Sequence, residues 1–507
     1  MTPSGGESTA QLRWGVYALL IALAVGNMTG RLLAVNSVNR AELEAHLLNA
    51  ELRRTERDLR AQDLPEEELQ RKLAEAKDRI AAETRLQRPF LSANDRSRWL
   101  AVRALVEQGT FAIDGLIDAQ VWNTIDMVQH RGRDGEPHLY SSKPPLLVTL
   151  VAAEYWLLHR LTGMTLDAEP YFLGRLMLVT INILPLALMF VIVASLAERW
   201  GTTDWGRIFV VAAATFGTFL TTFAVVLNNH LVAAVSVALA LYAWVRIRCD
   251  GESRLRYFVL AGLAAALAAA NELPALALLA CVAIALWKNH ERAWFTAFLP
   301  AAALVVIAFF ATNYAAHQSF RPPYMHRSAT DPEDNWYKYS YTVDGVERQS
   351  YWQNPQGIDR GEPSRLTYAW HALMGHHGIF SLTPIWLLSL AGALMWIRNG
   401  DPRQRQLAWA TAGMTLVCLV FYLGLRPQTD RNYGGMTSGL RWMFWFAPLW
   451  LAVLIPAADW AARTSTRKAV AATLLALSVL SASYPTWNPW THPWIYHWLE
   501  YCGWQGF

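Results

Sequence analysis

Two residues, Asp95 and Lys143, each stand at the edge of a long apolar segment. A carboxylate placed there can take a proton from an attacking hydroxyl or amine. An ammonium there can hold a phosphate, or simply reach the lipid headgroups. Asp95 lies in Ser92-Ala93-Asn94-Asp95-Arg96, and Ser92-x-x-Asp95 also reads as a capping box, with a first-turn acid complementing the helix dipole. Spacing alone favours the cap. Lys143 lies in Tyr140-Ser141-Ser142-Lys143-Pro144-Pro145-Leu146-Leu147, where the two prolines stiffen the chain and remove two backbone donors.

Arg175 sits a few residues into an apolar run, where a charge is costly and marks a ligand or pathway unless it snorkels outward. Arg426, Asp430, Arg431 and Arg441 bracket a loop containing Tyr433, Gly434 and Gly435. Its glycines let backbone approach a ligand and its arginines can fork onto phosphate, although an ordinary glycine-rich connection has the same composition. No strand precedes the loop and no G-K-[ST] follows, so it is not a P-loop. His230, His326, His371, His376 and His377 fall in connecting segments. A divalent metal is the one cofactor left open, with His376 and His377 as its candidates, but the spacing matches no strong signature. No Ser-His-Asp arrangement, H-E-x-x-H or dinucleotide fingerprint occurs.

The elements that must position these residues are membrane helices. Of 507 residues 53% are hydrophobic and 17% charged, which a soluble domain does not sustain over this length. The net charge of +4 is carried in short clusters between apolar runs, so it reads as topology and not as a nucleic-acid footprint. Four scattered cysteines imply neither a disulfide nor a thiolate metal site. The first run, 14–35, is long for a signal-peptide core and is taken as a span. Links carrying Arg199/Arg207, Arg246/Arg248/Arg254/Arg256, Lys288/Arg292, Arg398/Arg403/Arg405 and Arg463/Arg467/Lys468 are expected to be cytoplasmic. That assignment leaves 146–162 starting and ending on one side, as an interfacial or re-entrant helix.

The expected fold is therefore an all-α polytopic membrane protein of about eleven spans with interfacial helices in its first outer loop. Its segments are 1–35 (first span), 36–90 (charged helical hairpin or short coiled coil, with Pro65 starting its second helix), 91–170 (first-loop helices with Asp95 and Lys143), 171–313 (span core), 314–377 (outer loop), 378–484 (span core) and 485–507 (outer tail). Trp99, Val102, Leu105 and Val106 form one face of a helix whose other face carries Arg96, Arg103 and Glu107, as suits a helix in the membrane interface. Every chemically suggestive residue then falls on the extracytoplasmic side.

The Lys143-Pro144-Pro145-Leu146 element downstream of Asp95 comes first in a series of motifs. Gly174-Arg175-Leu176, Asn228-Asn229-His230 and Tyr433-Gly434-Gly435…Gly439-Leu440-Arg441-Trp442 follow it in the chain. In this order they resemble the GT-C integral-membrane glycosyltransferases, most closely the branch of protein O-mannosyltransferases and the aminoarabinose transferase of lipid A. The likeness covers about 90–250 well, 370–445 thinly and 40–86 not at all. It implies inverting transfer from a polyprenyl-phosphate sugar at the outer face, in a bacterial inner membrane. Asp95 would activate the acceptor. Lys143, Arg175 and Arg441 would hold the donor phosphate, and Asn229, His230, Tyr433, Gly434 and Gly435 would line the cavity. The chain has Asp95-Arg96 and Asn228-Asn229-His230 where such enzymes commonly carry further acids, which weakens a metal role. The partners implied are a lipid-linked donor and an acceptor of lipid, glycan or protein, with no nucleic acid and room for a partner on 40–86. The alternatives are a flippase or transporter of lipid-linked glycans, and a non-catalytic relative acting through 40–86.

Overall fold

The computed structural model describes residues 5–34, 40–62, 64–83, 90–118, 121–288, 290–328, 330–485 and 488–504. The expected boundary at 35/36, the close of the charged insert at 84–89 and the last residues, 505–507, lie outside them. The chain is an all-α polytopic membrane protein: by length and composition six described helices can cross a bilayer, Thr9–Ala34, Pro170–Trp200, Asn229–Arg248, Glu291–His317, Pro402–Leu425 and Arg441–Ala461. Leu255–Asn271 and Leu273–Trp287 are shorter apolar helices.

Helix α1 (Gly5–Ala34) is followed by α2 (Arg40–Arg60) and α3 (Glu66–Glu83), which pack against each other. Leu69, Ala76 and Ile80 make the buried seam of α3, a spacing that keeps one stripe facing its partner. Pro65 precedes α3, and its carbonyl accepts the Leu69 N–H at 2.9 Å. The Asn229–Arg248 and Arg441–Ala461 helices are the most buried of the spans. Glycine sets one of the close crossings: a Cβ on Gly392, in the helix Trp386–Asn399, would run into the Val453 carbonyl oxygen, so only hydrogen fits between that helix and Arg441–Ala461.

The basic links meet at one end of the bundle. Arg13 bonds Glu198 at 2.7 Å and Asp204 at 2.8 Å, Arg246 and Arg199 both pair with Asp250, and Asp459 accepts the Thr202 and Thr203 N–H groups at 2.8 and 2.9 Å. The helices that end there begin, at the opposite end, with Asn229 and Arg441.

Helix α4 (Ala93–Arg103) departs from the expected amphipathic element. All of it from Asn94 to Arg103 is buried, and the polar face assigned to water is bonded inside the protein. Arg96 donates to the Asn123 and Phe90 carbonyls, both at 2.7 Å, and Arg103 pairs with Glu107 and Asp167. Helical periodicity separates polar from apolar faces, but it cannot distinguish water from a protein partner.

Two small antiparallel hairpins are the other addition. One pairs β1 (Met127–Arg131) with β2 (Pro137–Ser141), and the second pairs β3 (Ser340–Val343) with β4 (Val346–Gln349). Strand β2 leads directly into Ser142-Lys143-Pro144, after which α5 (Pro145–Thr162) starts with proline at its first position, where the missing N–H costs nothing. The α5 helix packs on α4 and on the helix ending at His317.

Candidate functional site

Asp95 does not cap its own helix with its side chain. Ser92 does that, its Oγ accepting the Asp95 N–H at 3.1 Å. The Asp95 carboxylate reaches across to the second loop instead, where Oδ1 accepts the Leu227 N–H at 2.9 Å. Its Oδ2 is buried with no hydrogen-bond partner, and the residue is 1% exposed. Burial pushes the carboxyl up to about 7, against the opposing pull of the Leu227 N–H and of Arg98 and Arg96. An acid held near neutrality with one free oxygen is suited to proton transfer.

One turn along α4, Arg98 is fixed by neutral groups. It donates to Asn94 and, through Nη2, to Asn229 Oδ1 at 2.6 Å. Asn229 passes the contact on, donating to Glu272 Oε1 at 2.8 Å and to the Asn271 carbonyl at 2.9 Å. Glu272 also bonds His230 Nδ1, and His230 Nε2 faces Arg441 Nη1 at 3.3 Å. Arg441 donates through Nε to the Gly434 carbonyl at 2.9 Å and lies over the Trp490 ring. Gly434 and Gly435 take φ of +97° and +80°, and a Cβ on Gly434 would sit 3.1 Å from Arg441 Nε, so the loop can wrap the guanidinium only as glycine. Burial pushes Glu272 up to about 8, against the opposing pull of Arg441 and Arg98.

Lys143 closes the cluster. Its Nζ pairs with Asp126 Oδ1 at 3.0 Å. Burial lowers Lys143 to about 8, with Asp126 opposing that shift and Arg98 and Arg441 adding to it. Burial would raise Asp126, but Lys143 above all, then Arg441 and Arg98, hold it below its ordinary value. Arg98, Lys143 and Arg441, from three distant parts of the chain, thus meet in one site, with Arg98 enclosed and Lys143 and Arg441 partly exposed. A cluster of this kind is built to receive an anion, and above all one whose charge grows during a reaction.

The structure therefore brings Asp95, Lys143, Asn229, His230, Gly434 and Arg441 together through Arg98, Asp126 and Glu272. The last three carried no motif. Arg98 was not singled out in the sequence, and the signal that could have found it is its place three residues after Asp95, one turn along the same helix. Arg175 goes elsewhere: its Nη2 donates to the Leu33 carbonyl at 3.1 Å, tying α1 to the Pro170–Trp200 helix. Tyr433 packs away from the cations, in a group of rings with Tyr368, His376 and His377. His376 and His377 face each other through Nδ1, with burial holding both imidazoles far below their ordinary range. No group of three or more His, Cys, Asp or Glu that could hold a metal ion is found among the described residues.

Three solved structures of an Archaeoglobus fulgidus oligosaccharyltransferase are similar to the chain. The apo form has 12% identity and TM-score 0.38, covering 79% of this chain and 53% of that one. The complex with zinc and sulfate has 14% identity and TM-score 0.40, covering 80% and 51%. The complex of this oligosaccharyltransferase, AglB, with an inhibitory peptide and a dolichol-phosphate has 12% identity and TM-score 0.36, covering 79% and 51%. The chain thus spans about half the length of these structures. No curated protein matches it significantly. Residues 155–422 match the profile of glycosyltransferase family 87.

Proposed function

The chain belongs to glycosyltransferase family 87, and on that premise we propose that it moves a sugar from a polyprenyl-phosphate-linked donor to an acceptor at the extracytoplasmic face of the membrane, with inversion. The observation that carries this reading is the meeting of Arg98, Lys143 and Arg441 in one partly buried cluster. Transfer breaks the bond between the anomeric carbon and the phosphate oxygen, and the departing polyprenyl phosphate gains negative charge. Cations already fixed in a poorly hydrated site stabilise that charge without reorganising. Asn94 and Asn229, being neutral partners of Arg98, orient its fork without consuming its charge. Asp95 accepts the proton of the acceptor group as that group bonds to the anomeric carbon from the opposite face. The extracytoplasmic placement follows from the positive links at the other end of the bundle.

A second reading of the base is favoured by one observation. Asp126 is ion-paired with Lys143 and keeps 15% of its side chain exposed, whereas Asp95 is almost wholly enclosed. Donor phosphate drawing Lys143 away would release Asp126 to act. The two are separated by assaying sugar transfer in proteoliposomes with Asp95→Asn and Asp126→Asn. The first assignment expects the Asp95 variant to fold, bind donor and lose transfer. Wild-type transfer by folded Asp95→Asn would remove Asp95 as the base.

A further inference from the structure

Beside Asp126, the partner of Lys143, lies a groove of about 510 Å³. Tyr339, Tyr341 and Tyr351 line it, together with Arg348 and Gln349 from β4. Ile125 and Met127 also line it, while Asp126 between them pairs with Lys143, so the groove adjoins the segment that holds Lys143.

We propose that this groove is the acceptor subsite and that its occupant is a glycan; the inference rests on the transferase reading above. Two of the three tyrosine hydroxyls are already committed to the protein. Tyr339 donates to the Met127 carbonyl at 3.2 Å, and Tyr351 donates to Asp359 at 3.1 Å while accepting the Gln356 N–H at 3.1 Å. What they offer a ligand is the ring. Ring faces with negative quadrupoles suit the C–H faces of a sugar, and Arg348 and Gln349 supply hydrogen bonds for its hydroxyls. The platform is also rigid. Trp352 Nε1 donates to the Ile125 carbonyl at 2.8 Å, the Gln129 N–H to the Trp336 carbonyl at 3.0 Å, and Gln353 to the Tyr339 carbonyl at 2.7 Å, so the segment 336–353 is tied to residues 125–129 on either side of Asp126. A pre-ordered surface spends little binding energy on its own ordering.

The test is saturation-transfer NMR on the full chain in nanodiscs, titrated with maltohexaose, chitohexaose and mannohexaose. At least one hexasaccharide should bind. Tyr341→Ala should then weaken it roughly three- to tenfold, the worth of a single aromatic stacking contact, while Tyr341→Phe should bind as wild type. Binding of none of the three, unchanged affinity in Tyr341→Ala, or binding of extended peptides in their place would overturn the proposal. Glycan binding that depends on Tyr341 in a chain that binds no polyprenyl phosphate would support the groove and remove the transferase reading instead.

Discussion

Asp95 carries its chemistry in two oxygens with different fates, one on the Leu227 N–H and one without a partner. Because burial places the group at about 7, it gains its negative charge as pH passes neutrality. The transfer rate should therefore climb through pH 7. Asp95→Asn should lower kcat/KM by about 100- to 10,000-fold and abolish that acid limb, read from a pH–rate profile. The same shift acts on stability. A carboxyl whose folded pKa lies above its unfolded value favours the folded state most at low pH, and that support fades as pH rises through the folded pKa. Asp95→Asn, neutral throughout, should therefore gain in melting temperature relative to wild type as pH increases from 4 to 8. At Arg441, a lysine cannot hold the Gly434 carbonyl and His230 at once. Arg441→Lys should weaken polyprenyl phosphate binding at least about tenfold by titration, as expected where a fork is replaced by a point charge.

Among the elements, the long apolar helices were legible because composition and length suffice to identify them. The short ones were not. α4 reads as a helix lying in the interface, yet its arginines are bonded to protein, since a sequence pattern does not say what a polar face will meet. The β1–β2 and β3–β4 hairpins have strands of four or five residues with mixed polarity, too brief for alternation to show. Their absence from the reading hid Asp126, whose meaning depends on Lys143 being brought beside it. Asp95, Lys143 and Arg441 stood out because each is a charge against an apolar background. Helix packing gives a prediction of its own. Gly392→Ala would push a methyl into the Val453 carbonyl, and should cost about 1–3 kcal/mol as an overpacked crossing, seen as a lower unfolding temperature.

Across the whole molecule, the two ends of the bundle divide the labour. The arginine links and their acidic partners gather at one end, and the cation cluster with its loops at the other. Membership of a glycosyltransferase family agrees with the class the motifs resembled, whereas the narrower branch rests on those short motifs alone. The orientation is open to direct labelling, because Cys502 is exposed near the end of the chain and Cys249 lies at the arginine end. In single-cysteine variants, a membrane-impermeant maleimide should modify Cys502 in intact cells and reach Cys249 only after permeabilisation. The most direct test of the account is the structure of the chain with a polyprenyl phosphate bound. The account predicts the phosphate oxygens within about 3 Å of Lys143 Nζ and the Arg441 guanidinium, at charge-assisted hydrogen-bond distance. A phosphate seated beside Arg175 or elsewhere, with the Lys143–Asp126 pair and the Arg98–Arg441 cluster unchanged, would contradict it.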